Sequence, residues 1–157
     1  MKGMILSGFK TVGLAIRCDS LALMSSGASE VEQTACPCGS GAEYLRCCGR
    51  FLNGGEVPQT AEQLMRSRFC GFVLRDEPYL LATWHPETRP SRVRFDDKQR
   101  WVGLRILASE AGGLEAIHGT VEFVARFKID GKGHRLHELS RFEKIDGRWY
   151  YRDGKHL

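Results

Sequence analysis

The chain has 157 residues, of which 42% are hydrophobic and 27% charged, a composition typical of soluble globular proteins and unlike disordered or membrane chains. No stretch approaches the roughly 20 apolar residues that a membrane-spanning helix requires. The formal net charge is only +4, which favours no class of partner and excludes a strongly basic or acidic protein.

Residues 1–33 are predicted to form a poorly ordered leader, because they combine glycine and serine with scattered apolar side chains. They contain no apolar run long enough for the core of a secretory signal. We therefore expect a cytoplasmic protein, with a weak transit peptide as the alternative and Met24 as a possible true start. Cys18 lies in this leader, too far along the chain from the other cysteines to be taken as a metal ligand.

The next stretch contains four of the six cysteines within thirteen positions. They are Cys36, Cys38, Cys47 and Cys48. Four thiolates suit a closed tetrahedral Zn²⁺ site, and they leave no open position for water or substrate, so the ion is expected to be structural. Disulfides and an iron–sulfur cluster are the alternatives. Adjacent cysteines do not readily pair with each other, and the familiar cluster spacings are different.

A short helix is predicted within this cysteine segment. Ser40 and Glu43 have the spacing of a capping box, which places the start of the helix at Gly41. Gly49 would let the last turn unwind, so that two adjacent sulfurs can reach one ion.

Two further helices are predicted before the strands begin. Thr60 with Gln63 forms a second capping box, and the apolar residues that follow at three- and four-residue steps predict a helix to about Arg75. Cys70, isolated on this helix, is expected to be a small buried residue. Asp76 opens the next helix, with Pro78 tolerated in its first turn.

Beyond Arg100 the hydrophobic period changes from helical to alternating, which indicates an antiparallel sheet. Val102, Leu104 and Ile106 are predicted to share one strand face. Strands are also predicted over 121–129, 134–144 and 148–151, with a hairpin turn at Asp130-Gly131 and with Asp146-Gly147 leading into the last strand. Helices followed by an antiparallel meander predict an α+β fold.

Three side chains are candidates for lining a pocket. Glu138 shares a strand face with apolar Leu136 and Phe142, so it should either pair with an arginine or line a cavity. Trp84 and His85 lie where Pro86 should end the preceding helix, a position suited to a pocket mouth. A histidine that only satisfies loop backbone is the more common case.

A basic stretch with interleaved aromatic residues could contact nucleic-acid phosphates, although such stretches more often form solvated surface. It comprises Arg89, Arg92, Arg94, Lys98, Arg100 and Arg105.

The segment Cys36-Pro37-Cys38-Gly39-Ser40-Gly41 with Cys47-Cys48-Gly49 resembles the SEC-C motif, the zinc module at the tail of the SecA translocase ATPase. Together with Thr83-Trp84-His85-Pro86 and Trp149-Tyr150-Tyr151, it makes residues 35–157 similar to the bacterial YchJ family. The resemblance implies a SEC-C module over 34–54 and a nuclear transport factor 2-like domain over 55–157, in which helices pack on a curved antiparallel sheet to form a cone with a pocket. Many family members carry a second SEC-C module at the C-terminus; residues 55–157 contain no second cysteine pattern of this kind, so we do not expect a role that requires both modules.

Three functions are compatible with these patterns. No catalytic triad, phosphate-binding loop, dinucleotide fingerprint or zinc-protease motif is present, which argues against an enzyme. We expect a protein-interaction module whose fold is stabilised by structural zinc, because the SecA tail looks like a docking element for a chaperone or for ribosomes. A small-molecule or enzymatic pocket in the cone domain is the first alternative, and a nucleic-acid-associated protein is the second.

Overall fold

The computed structural model describes residues 34–157, so the predicted leader and Cys18 lie outside the described residues. The described helices are α1 (Gly49–Leu52), α2 (Ala61–Leu74) and α3 (Glu77–Ala82). The strands are β1 (Gln99–Ala111), β2 (His118–Ile129), β3 (Lys132–Ile145) and β4 (Arg148–His156). They form one curved antiparallel sheet in the order β1-β2-β3-β4, and the predicted α+β class is confirmed.

Local capping signals begin both of the longer helices as predicted. The Thr60 hydroxyl accepts a hydrogen bond from the backbone N–H of Gln63 (3.1 Å). The Asp76 carboxylate accepts one from the N–H of Tyr79 (3.0 Å), which opens α3. Arg75 ends α2 in the left-handed conformation with φ of 58°.

The helix predicted to begin at Gly41 is wrong. Gly41 has φ of +82°, which no right-handed helix accommodates, and Glu43 pairs instead with Ala35 in an isolated β-bridge. The Ser40 hydroxyl accepts from the N–H of Ala42 (3.3 Å) rather than from Glu43. The chain makes turns up to Cys48, and the first of the described helices begins at Gly49.

The hydrophobic core lies between α2 and one face of the sheet. Leu64 and Phe69 of α2 are buried against Phe123 of β2 and Phe142 of β3. Burying a side chain of this size contributes about 1.5–3 kcal/mol, so this face of α2 fixes its position on the sheet.

The predicted inward face of β1 is partly wrong, because the strand carries a bulge. The register with β2 shifts between Trp101 and Gly103, and this extra residue changes which side chains face the core. Val102 is therefore 49% exposed, whereas Trp101 packs edge-on against Phe69 with ring centroids 5.8 Å apart. Leu104 packs against the core as predicted.

The predicted hairpin turn at Asp130-Gly131 is confirmed, and Asp146-Gly147 forms a second hairpin turn between β3 and β4. Asp130 and Gly131 have φ of 48° and 79°, and Asp146 and Gly147 have φ of 49° and 78°. Two consecutive residues with positive φ are the signature of the tight turn that matches strand twist.

The segment that follows α3 pairs with the last strand. The N–H of His85 donates to the carbonyl of Tyr151 (2.8 Å), and the N–H of Tyr151 donates to the carbonyl of Thr83 (2.9 Å). Part of the β4 edge is thus covered, and Trp84 is held beside the Tyr151 ring. No helix within residues 34–157 has the length and apolar character needed to cross a membrane.

Candidate metal centre and the adjoining cavity

A tight backbone loop presents the first two cysteines. The N–H of Cys36 donates to the carbonyl of Ala42 (2.8 Å), and the N–H of Gly39 donates to the carbonyl of Cys36 (3.1 Å). Gly39 has φ of +75°, a conformation that a side chain would strain. We call residues 34–50 the knuckle.

The four sulfurs of the knuckle converge on one point. All four Sγ atoms lie within 4.8 Å of one another, with 3.6 Å between Cys38 and Cys47 and 3.9 Å between Cys47 and Cys48. Sulfurs at ~2.3 Å from a common tetrahedral centre would be roughly 3.8 Å apart. These distances fit a shared ion and are far longer than a disulfide bond, and the cysteines are free. The cluster can therefore hold a metal ion.

Electrostatics within the cluster also favour a cation. The hydrogen bond with Cys36 is the main reason why the pKa of Cys38 lies far below its ordinary value. The hydrogen bond with Cys36 likewise raises the pKa of Cys48 above its usual range. Negative charge is thus favoured on Cys38 and disfavoured on Cys48, because neighbouring thiolates repel each other at this distance. A divalent ion would remove that repulsion and let all four sulfurs bind as thiolates.

The knuckle is fastened to the rest of the protein. Cys36, Cys38 and Cys48 are buried in the same core cluster as Leu64 of α2. The Arg66 guanidinium of α2 donates to the carbonyl of Cys38 (3.1 Å). An ion bound at the cluster would therefore stabilise the packing of the N-terminal segment on α2.

A cavity of about 150 Å³ lies between α2 and the sheet, next to this core. Trp84 and Glu138 line it, as do Arg68, Ser140 and Tyr151. Its apolar walls are Met65, Phe69, Phe72, Trp101, Phe123, Ala125 and Leu136.

His85, the third candidate for lining a pocket, is not among the residues that line this cavity. It is buried elsewhere, where its Nδ1 accepts from the N–H of Glu87 (3.2 Å) and its Nε2 lies 3.1 Å from Nη1 of Arg152. Trp84 and His85 are consecutive in an extended segment, so their side chains point to opposite sides.

Glu138 lies on the inner face of β3, only 8% exposed. Its Oε1 accepts from the hydroxyl of Ser140 (2.6 Å) and lies 3.4 Å from the hydroxyl of Tyr151. Gly154 leaves room for the carboxylate, which a side chain at that position would overlap. Of the two alternatives offered by the sequence, Glu138 lines a cavity. The Nε2 of His156 lies 3.4 Å from its Oε2.

Comparison with known proteins matches both parts of this structure. The SEC-C motif model matches residues 34–50, and the model for the YchJ middle domain, which is nuclear transport factor 2-like, matches residues 60–154. The chain belongs to the YchJ family. The predicted family resemblance is thereby confirmed.

Relatives of this family are named UPF0225 proteins. One from Streptomyces coelicolor is 51% identical over 122 residues, which cover 78% of this chain and 95% of the relative. One from Chromobacterium violaceum is 50% identical over 126 residues, which cover 78% of this chain and 93% of the relative.

Two solved structures of SEC-C motif-containing proteins are similar to this YchJ-family chain. The solution structure from Rhodopseudomonas palustris has a TM-score of 0.69 and 37% identity, covering 79% of this chain and 99% of that one. The crystal structure from Psychrobacter arcticus has a TM-score of 0.66 and 28% identity, covering 79% of this chain and 83% of that one.

A fifth cysteine lies beside the cluster in this YchJ-family protein. Cys70 is fully buried on α2, as predicted, but it is not isolated, because its Sγ lies 3.6 Å from that of Cys36. It is not one of the four sulfurs that are mutually within 4.8 Å. Sequence reasoning missed this contact, because spacing along the chain carries no signal that α2 packs on the knuckle.

Proposed function

We propose that this protein is a non-catalytic protein-interaction module, with its knuckle held by one structural Zn²⁺ ion. Cys36, Cys38, Cys47 and Cys48 would hold the ion. The observation that carries this proposal is the convergence of four sulfurs, three of them buried, at spacings that suit a tetrahedral ion. When bound, the ion supplies cross-linking of the knuckle and no chemistry toward a substrate.

The outer surface of the knuckle supports an interaction role. Residues 39–43 are exposed, and the Arg46 side chain is 86% exposed, while the cysteines beneath are mostly buried. A loop fixed by a metal loses little conformational entropy when it binds a partner. The free-energy cost of ordering it on docking is therefore small. We propose a protein partner, either ribosome-associated or chaperone-like, in a reducing compartment such as the cytoplasm, where free thiols persist.

Arg46→Glu is expected to abolish recovery of the partner without unfolding the protein. Among residues 34–157, Arg46 pairs only with Glu43 (3.5 Å). It is a better choice than Arg50, which donates to the carbonyl of Cys47 (3.2 Å) and so supports the knuckle. The measurement is affinity recovery from a bacterial lysate, with identification of the bound proteins and a thermal melt of each variant.

Arg135→Glu is the matched control, because Arg135 is an exposed arginine on β3 and its change has the same charge. Wild type and Arg135→Glu should recover the same partner. A partner recovered equally by Arg46→Glu would overturn the docking role of the knuckle.

The nucleic-acid alternative stays a prediction. Arg89, Arg92, Arg94, Lys98, Arg100 and Arg105 are all exposed. Lys98 pairs with Asp130 (3.4 Å), and Arg75 nearby pairs with Asp97 (2.5 Å). Acidic residues thus lie among the basic ones, which weakens the attraction for phosphates.

A further inference from the structure

The cavity beneath α2 contains a buried guanidinium. Arg68 is only 3% exposed, and its Nη1 donates to the carbonyl of Leu80 (2.8 Å) and to the hydroxyl of Thr83 (2.8 Å). The guanidinium carbon lies 4.8 Å from the Trp84 ring centroid and 4.7 Å from that of Tyr151. The two rings and the two oxygens therefore hold Arg68 in one orientation.

Arg68 makes no direct ion pair in the part of the chain that the structure describes, and the Glu138 carboxylate on the same cavity acts on its charge only at longer range. Burial lowers the pKa of Arg68 to about 10, so the guanidinium remains charged at neutral pH. Both of its hydrogen bonds use Nη1, which leaves Nε and Nη2 without an acceptor among residues 34–157. Buried charges are seldom left unpaired, because removing them from water costs several kcal/mol.

A second donor in the same wall is also unused. The indole Nε1 of Trp84 is buried and has no hydrogen-bond acceptor within residues 34–157. Leaving a buried N–H unpaired costs about 1–3 kcal/mol. Glu138, the carboxylate in the cavity wall, forms no ion pair with Arg68, and it is engaged by Ser140 and His156. The cavity therefore offers the positive charge of Arg68 to an anionic acceptor, and the unpaired indole N–H belongs to a side chain in the same wall.

The size and walls of the cavity limit the ligand. An apolar cavity of roughly 150 Å³ accommodates a molecule of about the size of benzene, and this cavity has a volume of about 150 Å³. The rings of Phe69, Phe72 and Trp101 in its walls suit a planar apolar body. A phosphate group would need more donors than this wall provides, whereas a single carboxylate matches a guanidinium edge and one N–H.

We propose that this cavity is a binding site for a small aromatic carboxylate. The carboxylate accepts hydrogen bonds from Arg68 and Trp84, and the ring packs among the aromatic walls. Glu138 also lines the cavity, and its carboxylate repels a second anionic group. The site is therefore restricted to ligands that carry a single anionic group. This binding site is independent of the proposed docking surface on the knuckle.

The test measures binding of benzoate to the full-length, metal-loaded protein by calorimetry, with benzyl alcohol as the neutral control of similar shape. Benzoate should bind saturably and at least about tenfold more tightly than benzyl alcohol, because the charge-assisted hydrogen bonds are lost with the alcohol.

Trp84→Phe removes the indole N–H and keeps an aromatic ring over Arg68, so it should weaken benzoate binding about fivefold.

Glu138→Gln supplies a second readout that a purely structural role would not give. Removing the like charge should tighten benzoate binding and leave benzyl alcohol binding unchanged. These two variants carry the test because Arg68 itself is embedded in the fold, and a thermal melt of each confirms folding. Equal affinities for benzoate and benzyl alcohol, or no saturation of the wild type at roughly 10 mM benzoate, would overturn the proposal.

Discussion

Cys47→Ser is expected to release the bound metal and to unfold the knuckle. A serine hydroxyl is a poor zinc ligand, and the variant would leave three thiolates converging without a complete site. Structural zinc contributes on the order of 10–16 kcal/mol in small zinc domains, which is comparable to the about 5–15 kcal/mol that stabilises a whole domain. Because the knuckle shares its core with α2, we expect the variant to lower the free energy of unfolding of the entire protein.

Metal analysis and urea unfolding of the purified proteins check this expectation. The wild type should contain one equivalent of zinc, and Cys47→Ser should contain almost none, with a lower unfolding midpoint. A chelator should shift the wild type toward the behaviour of the variant, since loss of the ion is the common cause.

Cys70→Ser is the matched control, because Cys70 contacts the cluster but is not among its four converging sulfurs. It should retain one equivalent of zinc and lose only about 1–3 kcal/mol, the cost of burying a hydroxyl in place of a thiol. Equal metal loss from both variants would contradict the assignment of the four ligands. A wild type that contains iron, or that is folded without metal, would contradict structural zinc.

Features encoded by neighbouring residues were predictable. The cysteine quartet is visible because its spacing is local, and Thr60 and Asp76 mark helix starts because their side chains satisfy N–H groups within the same turn. The turns at Asp130-Gly131 and Asp146-Gly147 follow from residues that tolerate positive φ. The inward position of Glu138 on β3 followed from simple alternation, since β2 and β3 pair without a register shift.

Features that depend on packing between distant segments were not predictable. The bulge in β1 turned Val102 outward, and alternation cannot reveal where a bulge falls. Ser40 and Glu43 have the spacing of a capping box, but the positive φ of Gly41 diverts the chain into turns. The approach of Cys70 to Cys36 likewise arises only when α2 packs on the knuckle.

Gly119→Ala is expected to destabilise the protein by about 3 kcal/mol, at the upper end of what overpacking typically costs. A Cβ on Gly119 would lie 2.5 Å from the Cα of Gly112 and 3.2 Å from the Cβ of Ala61. The first of these is a backbone atom that cannot rotate away. It is also fixed in place, because the carbonyl of Gly112 accepts from the N–H of Ala61 (2.9 Å) at the first turn of α2. The added methyl group must therefore separate β1 from β2 or push both strands away from α2.

Gly133→Ala on the neighbouring strand β3 is the matched control for this prediction. A Cβ at Gly133 would have no heavy atom within 4 Å, so the substitution adds no clash and reduces only the conformational freedom of the unfolded chain. Its urea midpoint should equal or slightly exceed that of the wild type, whereas Gly119→Ala should fall well below both. Similar midpoints for the two variants would show that the ends of β1 and β2 can move away from α2 at little cost. In that case the close approach of Gly119, Gly112 and Ala61 would not determine how the sheet is seated on the helix.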